Sequence, residues 1–144
     1  MRIAEILHRK GSTVHAIPAV KTVGVAVRKL LELRIGALVV RDRWGRMVGT
    51  LSERDIIHGL ALHGGKVLAY SVDEVMDRDA TTCGPTDRID KVMALMTVHR
   101  VRHLPVMEDD RLVGIVSIGD LVKHRLEEKE LEANVLRDLS AAHA

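Results

Sequence analysis

The sequence predicts an α/β (α+β) protein of two tandem units, each a small β-sheet flanked by helices, related by pseudo-twofold symmetry. Three observations predict it. Arg34-Ile35-Gly36-Ala37-Leu38-Val39-Val40 returns 66 residues later as Arg100-Val101-Arg102-His103-Leu104-Pro105-Val106, and Arg46–Asp55 returns 65 residues later as Arg111–Asp120. In both copies a helical period alternates with short apolar runs. Of the 144 residues 47% are apolar but only 1% aromatic, so the core is built from Val, Leu, Ile, Met and Ala. Two copies are too few for a solenoid. The halves are therefore expected to pack on each other and to form two related clefts.

Each unit opens on a short extended piece, Thr13–Ile17 or Ala80–Cys83, followed by Pro18 or Pro85. A helix comes next. Its apolar face is Val23, Val27, Leu30 and Leu31, and the counterpart face is Ile89, Val92, Met93 and Met96. Ala37–Val40 and Met47–Leu51 read as a hairpin around Trp44-Gly45. Their continuous apolar character points to strands covered on both faces. The residue lost between the copies falls in this turn, where a hairpin tolerates it.

A second helix begins at Ser52 and at Ser117. The first copy stops at His63-Gly64-Gly65. Ser71-Val72-Asp73-Glu74 has the form of a capping box for a short linker helix. The second copy meets no breaker and runs into a charged tail, with Leu131, Val135 and Leu139 on one stripe. The chain thus divides into a first unit with an N-terminal helix (1–70), a second unit (71–126) and a C-terminal helical extension (127–144).

Charge and composition exclude several classes of function. Lys plus Arg is 22 and Asp plus Glu 20, and the net charge of +2 argues against a general nucleic-acid binder. Aromatic platforms for single strands are missing. The single cysteine, Cys83, can form neither an internal disulfide nor a Cys-rich zinc site. Met1–Lys10 is amphipathic and too polar for a signal peptide. No apolar stretch approaches the ~20 residues that span a bilayer. These features lead us to expect a cytoplasmic protein without a membrane segment.

One motif could carry chemistry: Gly-x-x-Ser-x-x-Asp occurs twice, as Gly49, Ser52, Asp55 and as Gly114, Ser117, Asp120. In each copy a strand ends and a helix begins at the Ser. First-turn N–H groups lack intrahelical partners and favour anions. The hydroxyl can reach a phosphate or ribose oxygen, and the Asp can accept from both ribose hydroxyls. The Gly permits close backbone approach. The same Ser-x-x-Asp spacing is also a variant capping box that only satisfies helix-end donors. A duplication copies caps as faithfully as sites, so both readings stand.

Taken together, Val14-His15-Ala16-Ile17-Pro18, the Ile35–Val40 strand, both Gly-x-x-Ser-x-x-Asp motifs, Val72-Asp73-Glu74-Val75-Met76 and Arg102-His103-Leu104-Pro105-Val106 resemble a pair of CBS domains, a Bateman module. The resemblance runs from about Gly11 to Leu126 and is to stand-alone bacterial and archaeal forms. It implies adenosine ligands: AMP, ADP, ATP, NAD(H) or S-adenosylmethionine. It implies ribose on Asp55 or Asp120, with Ser52 or Ser117 beside ribose or phosphate. The adenine would lie among Val14, Ile17 and Ala37 in one half and Thr82, Cys83 and Leu104 in the other. It implies pairing of modules through their helices, for which Ile56-Ile57 with Leu60 and Leu121-Val122 with Leu126 offer stripes. It requires no cofactor and no catalytic residue.

The copies differ where Gly36-Ala37 faces Arg102-His103 and where Arg54 faces Gly119. The cationic pair can reach a phosphate. The richer phosphate site is expected at Arg102, His103, Ser117 and Asp120. A surface salt bridge for Arg102 and a partly buried, hydrogen-bonded His103 are the structural alternatives. Lys10-Gly11-Ser12-Thr13 offers a weaker phosphate loop without Walker spacing. Cys83 reads as a small buried residue rather than a nucleophile. Met93 and Met96 read as core. The expected function is an adenine-nucleotide sensor that signals to an unidentified protein target, with a ligand-free interaction module as its rival. An enzyme ranks last, because no base, metal cluster or nucleophile accompanies the motif.

Overall fold

The computed structural model describes residues 1–142. Its elements run α1 (Ile3–Lys10), β1 (Ala16–Pro18), α2 (Val23–Leu33), β2 (Ala37–Arg41), β3 (Met47–Ser52), α3 (Glu53–His63), a 3-10 turn (Gly64–Ala69), α4 (Val72–Val75), α5 (Ile89–His99), β4 (His103–Glu108), β5 (Arg111–Ser117) and α6 (Ile118–Ala142). The first sheet has the order β1-β2-β3, with β1 parallel and β3 antiparallel to β2. The second sheet is the β4-β5 hairpin.

The duplication is visible in the registers. Ala37 pairs with Ser52 and His103 with Ser117, so each hairpin closes on the residue that opens its second helix. Both hairpins shift register near their turn, between Val40 and Arg41 and between Val106 and Met107. Both first helices end on a left-handed arginine, Arg34 at φ 55° and Arg100 at φ 54°. The expected strand Ala80–Cys83 shrinks to one parallel bridge, Cys83 with Val106. A turn follows at once, in which the Gly84 N–H donates to Asp87 Oδ2 and the Asp87 N–H to the Gly84 carbonyl.

Each half has its own core. Ile17, Val23, Ala26, Leu30, Leu38, Val40, Leu51, Ile56, Val72 and Met76 form the first. The second comprises Ile3, Ile6, Cys83, Ile89, Val92, Met96, Leu104, Val106, Val116 and Leu121. Within α2 the inward stripe is Val23, Ala26 and Leu30. Leu31, expected on that stripe, is 78% exposed. Ile56 and Leu121 serve these cores, so of the expected pairing stripes only Ile57, Leu60, Val122 and Leu126 lie exposed.

The divisions at 70 and 71 are crossed by both short helices. The N-terminal helix, expected with the first unit, packs in the second core through Ile3 and Ile6. The linker helix, expected with the second unit, packs in the first core through Val72 and Met76. Matching isolated bridges anchor them, Arg2 with Arg88 and Ser71 with Thr22. The physical reason lies under them. A Cβ on Gly49 would stand 2.5 Å from the Asp77 carbonyl oxygen, and one on Gly114 would stand 2.7 Å from Leu7 Cδ2. The motif glycines thus make room for the Asp77 backbone and for Leu7.

The terminal helix α6 is continuous through Ala142, and Leu131, Val135 and Leu139 are exposed along it. The last two residues of the expected extension lie outside the described residues.

Candidate functional site

Both Ser-x-x-Asp pairs fold as capping boxes, because the helix that begins at each Ser has donors to satisfy. Asp55 Oδ2 accepts from the Ser52 N–H at 2.8 Å and from Ser52 Oγ at 2.9 Å, and the Asp55 N–H donates back to Ser52 Oγ at 3.2 Å. Asp120 Oδ2 accepts from the Ser117 N–H at 2.9 Å, and the Asp120 N–H donates to Ser117 Oγ at 3.1 Å. The cap therefore exists in both copies. In both copies the bonds reach Oδ2, and Oδ1 of neither carboxylate has a hydrogen-bond partner among the described residues.

The surroundings of the two carboxylates differ. Burial raises the Asp55 carboxyl above its ordinary value, and neighbouring Asp77 adds to the rise against the lowering cap bonds from Ser52. Burial acts in the same sense on Asp120. There the Lys10 ammonium and the Ser117 amide outweigh it and hold the carboxyl below its ordinary value. Lys10 Nζ donates to Asp120 Oδ2 at 2.7 Å and to the Ile115 carbonyl at 3.0 Å.

A cavity of about 850 Å³ opens beside the first motif, within the size range of small-molecule sites. Both repeats line it. The first contributes Ala37, Ser52, Arg54 and Asp55, and the second contributes Arg102 and His103. Arg54 Nη1 donates to the Arg100 carbonyl at 2.6 Å, which straps the start of α3 to the end of α5 across the cavity. His103 leans over the first repeat, so that a Cβ on Gly36 would stand 2.8 Å from its Cε1. Burial pushes the His103 imidazole below its ordinary value, while Glu53 and Asp120 pull the other way.

A family model for the CBS domain matches residues 3–62 and again 72–127. The chain belongs to the CBS-domain family. This CBS pair superposes on a CBS-domain protein of Agrobacterium tumefaciens with TM-score 0.84 at 38% identity, covering 86% of this chain and 92% of that one. A mitochondrial CBS-domain protein of Arabidopsis thaliana is 32% identical over 79% of this chain, which spans 60% of the plant protein's length. A third likeness is one of fold: a CBS pair of protein MJ0100, solved with 5′-methylthioadenosine and S-adenosylmethionine, has TM-score 0.73 at 23% identity and covers 89% and 98% of the two chains. CBS pairs are regulatory modules, and no catalytic family is indicated here.

The remaining expected site residues of the CBS pair are scattered. Ile17 and Leu104 are fully packed into the two separate cores, and Cys83 is buried with its thiol pushed up to about 12, chiefly by burial. Val14 is half-buried and Thr82 exposed, and neither lines the cavity. Arg102 and His103, expected with Ser117 and Asp120, line the cavity of Ser52 and Asp55, while His103 also pairs with Ser117 across the β4-β5 hairpin. Arg102 makes no ion pair among the described residues.

Asp77 and Arg100 also line the cavity and were not among the expected residues. The Asp77 backbone pairs with Thr50, exchanging two bonds of 2.8 and 3.0 Å. Aligning α4 with α1, rather than only the two hairpins, is the signal that would have pointed to it. No helix among the described residues is long and apolar enough to cross a membrane.

Proposed function

We propose that this CBS pair is a regulatory module whose first cleft binds an adenine nucleotide of the AMP, ATP or NAD(H) type and performs no chemistry on it. One observation carries the reading: a single cavity joins a helix N-terminus bearing Ser52 and Asp55 to Arg54, Arg102 and His103 from both repeats. A helix N-terminus with adjacent guanidinium groups suits a phosphate. Asp55 Oδ1 suits a ribose hydroxyl. Ala37, Val101, Ile115 and Ile118 offer the base an apolar wall. The adenosine compounds bound by MJ0100 support the ligand class.

A ligand that touches both repeats can favour one of their relative arrangements only by its difference in affinity for the two. On this reading the module reports energy or redox state in the cytoplasm to a protein target. Exposed Ile57, Leu60, Val122 and Leu126 favour a homodimer of modules.

The rival, a ligand-free interaction module, draws on the capping bonds, which account for Ser52 and Asp55 without any ligand. Calorimetric titration with AMP, ATP, NADH and S-adenosylmethionine separates the two. Binding of at least one compound, lost in Asp55→Ala, supports the nucleotide reading. No heat with any of the four at millimolar concentration leaves the interaction module.

A further inference from the structure

We propose that the two hairpin tips meet between chains, the basic tip of one copy against the acidic tip of a second copy, so that the modules pair head to tail. This rests on the homodimer reading above and adds its orientation. The tips occupy matched positions in the two repeats and carry opposite charge. Arg41–Arg46, at the β2-β3 turn, holds three arginines and one aspartate, a net +2. Met107–Arg111, at the β4-β5 turn, holds Glu108, Asp109, Asp110 and one arginine, a net −2. Every residue from Arg43 to Arg46 and from Glu108 to Arg111 is exposed. No charged side chain of either tip belongs to an ion pair among the described residues.

Each tip is fixed by its own backbone. Asp42 Oδ1 accepts from the Trp44 and Arg46 N–H groups at 2.9 Å, and Arg41 Nη1 donates to the Gly45 carbonyl at 2.7 Å. The Arg43 guanidinium lies 4.3 Å from the centroid of the Trp44 ring, which is 70% exposed. Trp and Arg are the side chains that most often anchor an interface. At the other tip Asp109 and Asp110 both take left-handed backbone, at φ 49° and 61°. Asn and Gly fit such a turn at least as well, so the backbone does not require the charge. Exposed ion pairs add little affinity. They act on orientation and on the rate of encounter. Apolar Ile57, Leu60, Val122 and Leu126 supply the area, and the tips decide which way round the copies sit. Head-to-tail pairing sets opposite charges together at both ends, whereas parallel pairing sets like charges together twice.

The test is light scattering on the intact chain and on two charge-reversed chains. Arg43→Glu with Arg46→Glu reverses the basic tip. Glu108→Lys with Asp109→Asn and Asp110→Asn reverses the acidic tip and keeps residues that suit a left-handed turn. The wild type should be a dimer that weakens as salt rises from about 0.05 to 0.5 M. Each reversed chain alone should dissociate about tenfold or more readily, because like tips then face each other. Equal amounts of the two reversed chains should pair again, since every tip then meets its opposite, and that recovery also shows that both fold. Wild-type dimerisation by both reversed chains, no recovery on mixing, or a wild-type dimer indifferent to salt overturns the role of the tips and leaves the homodimer standing. A wild type that is monomeric throughout overturns the homodimer reading and this orientation with it.

Discussion

His103 of the second repeat lies over Gly36 of the first, so close that a Cβ on Gly36 would stand 2.8 Å from Cε1 and 3.5 Å from Nε2 of the imidazole. The contact joins the repeats at the wall of the cavity. It also makes sense of a difference between the copies: the ring that copy two supplies needs the space that a side chain on residue 36 would fill.

Gly36→Ala should therefore cost roughly 1–3 kcal/mol, the range for overpacking a close contact. Urea unfolding measures it. Adding His103→Ala should recover most of the loss. An equal loss in the single and double variants would place the strain elsewhere.

Asp55 and Asp120 should respond oppositely to loss of charge. The fold raises the Asp55 carboxyl, so its ionised form weakens the folded state at neutral pH. Asp55→Asn keeps a cap acceptor and should leave stability unchanged or slightly higher. The fold lowers the Asp120 carboxyl, so that its contribution is present above its unfolded value and is lost as pH falls through the folded one. Asp120→Asn should cost about 1 kcal/mol at neutral pH by loss of the Lys10 pair. Paired urea melts check the signs.

Stability should fall with pH through His103. Burial holds its imidazole below the ordinary 6.5, so the unfolded chain takes up the proton first. The contribution is complete above about 6.5 and is lost between there and the lowered folded value. Thermal melts from about pH 7.5 to 5 should show a smaller drop in Tm for His103→Gln than for the wild type. Parallel curves would remove His103 from the account.

Cys83 should be chemically silent in the fold. The residue is 5% exposed and its thiol is pushed up to about 12, and the thiolate is the reactive form. Ellman's reagent should label it only after denaturation. Fast labelling of the native protein would contradict the burial.

The hairpins and the first helix of each unit are legible in the chain because their apolar spacing is local. The caps at Ser52 and Ser117 are legible for the same reason. What local spacing does not reveal is which core a short helix joins. Alpha1 and α4 each exchange allegiance because Gly114 and Gly49, distant in sequence, leave room for Leu7 and for the Asp77 backbone. The grouping of Arg102 and His103 with Asp55 is hidden likewise, since it depends on how one repeat faces the other. Lys10 and Asp120 are 110 residues apart, and no pattern within either segment announces their bond.

A crystal structure of the protein grown with millimolar AMP tests the central claim most directly. The account predicts the nucleotide in the cavity between the repeats, its ribose on Asp55 and its phosphate toward Arg54, Arg102 and His103. An empty cavity, or AMP at Asp120 with Lys10 displaced and Asp55 bare, would contradict it.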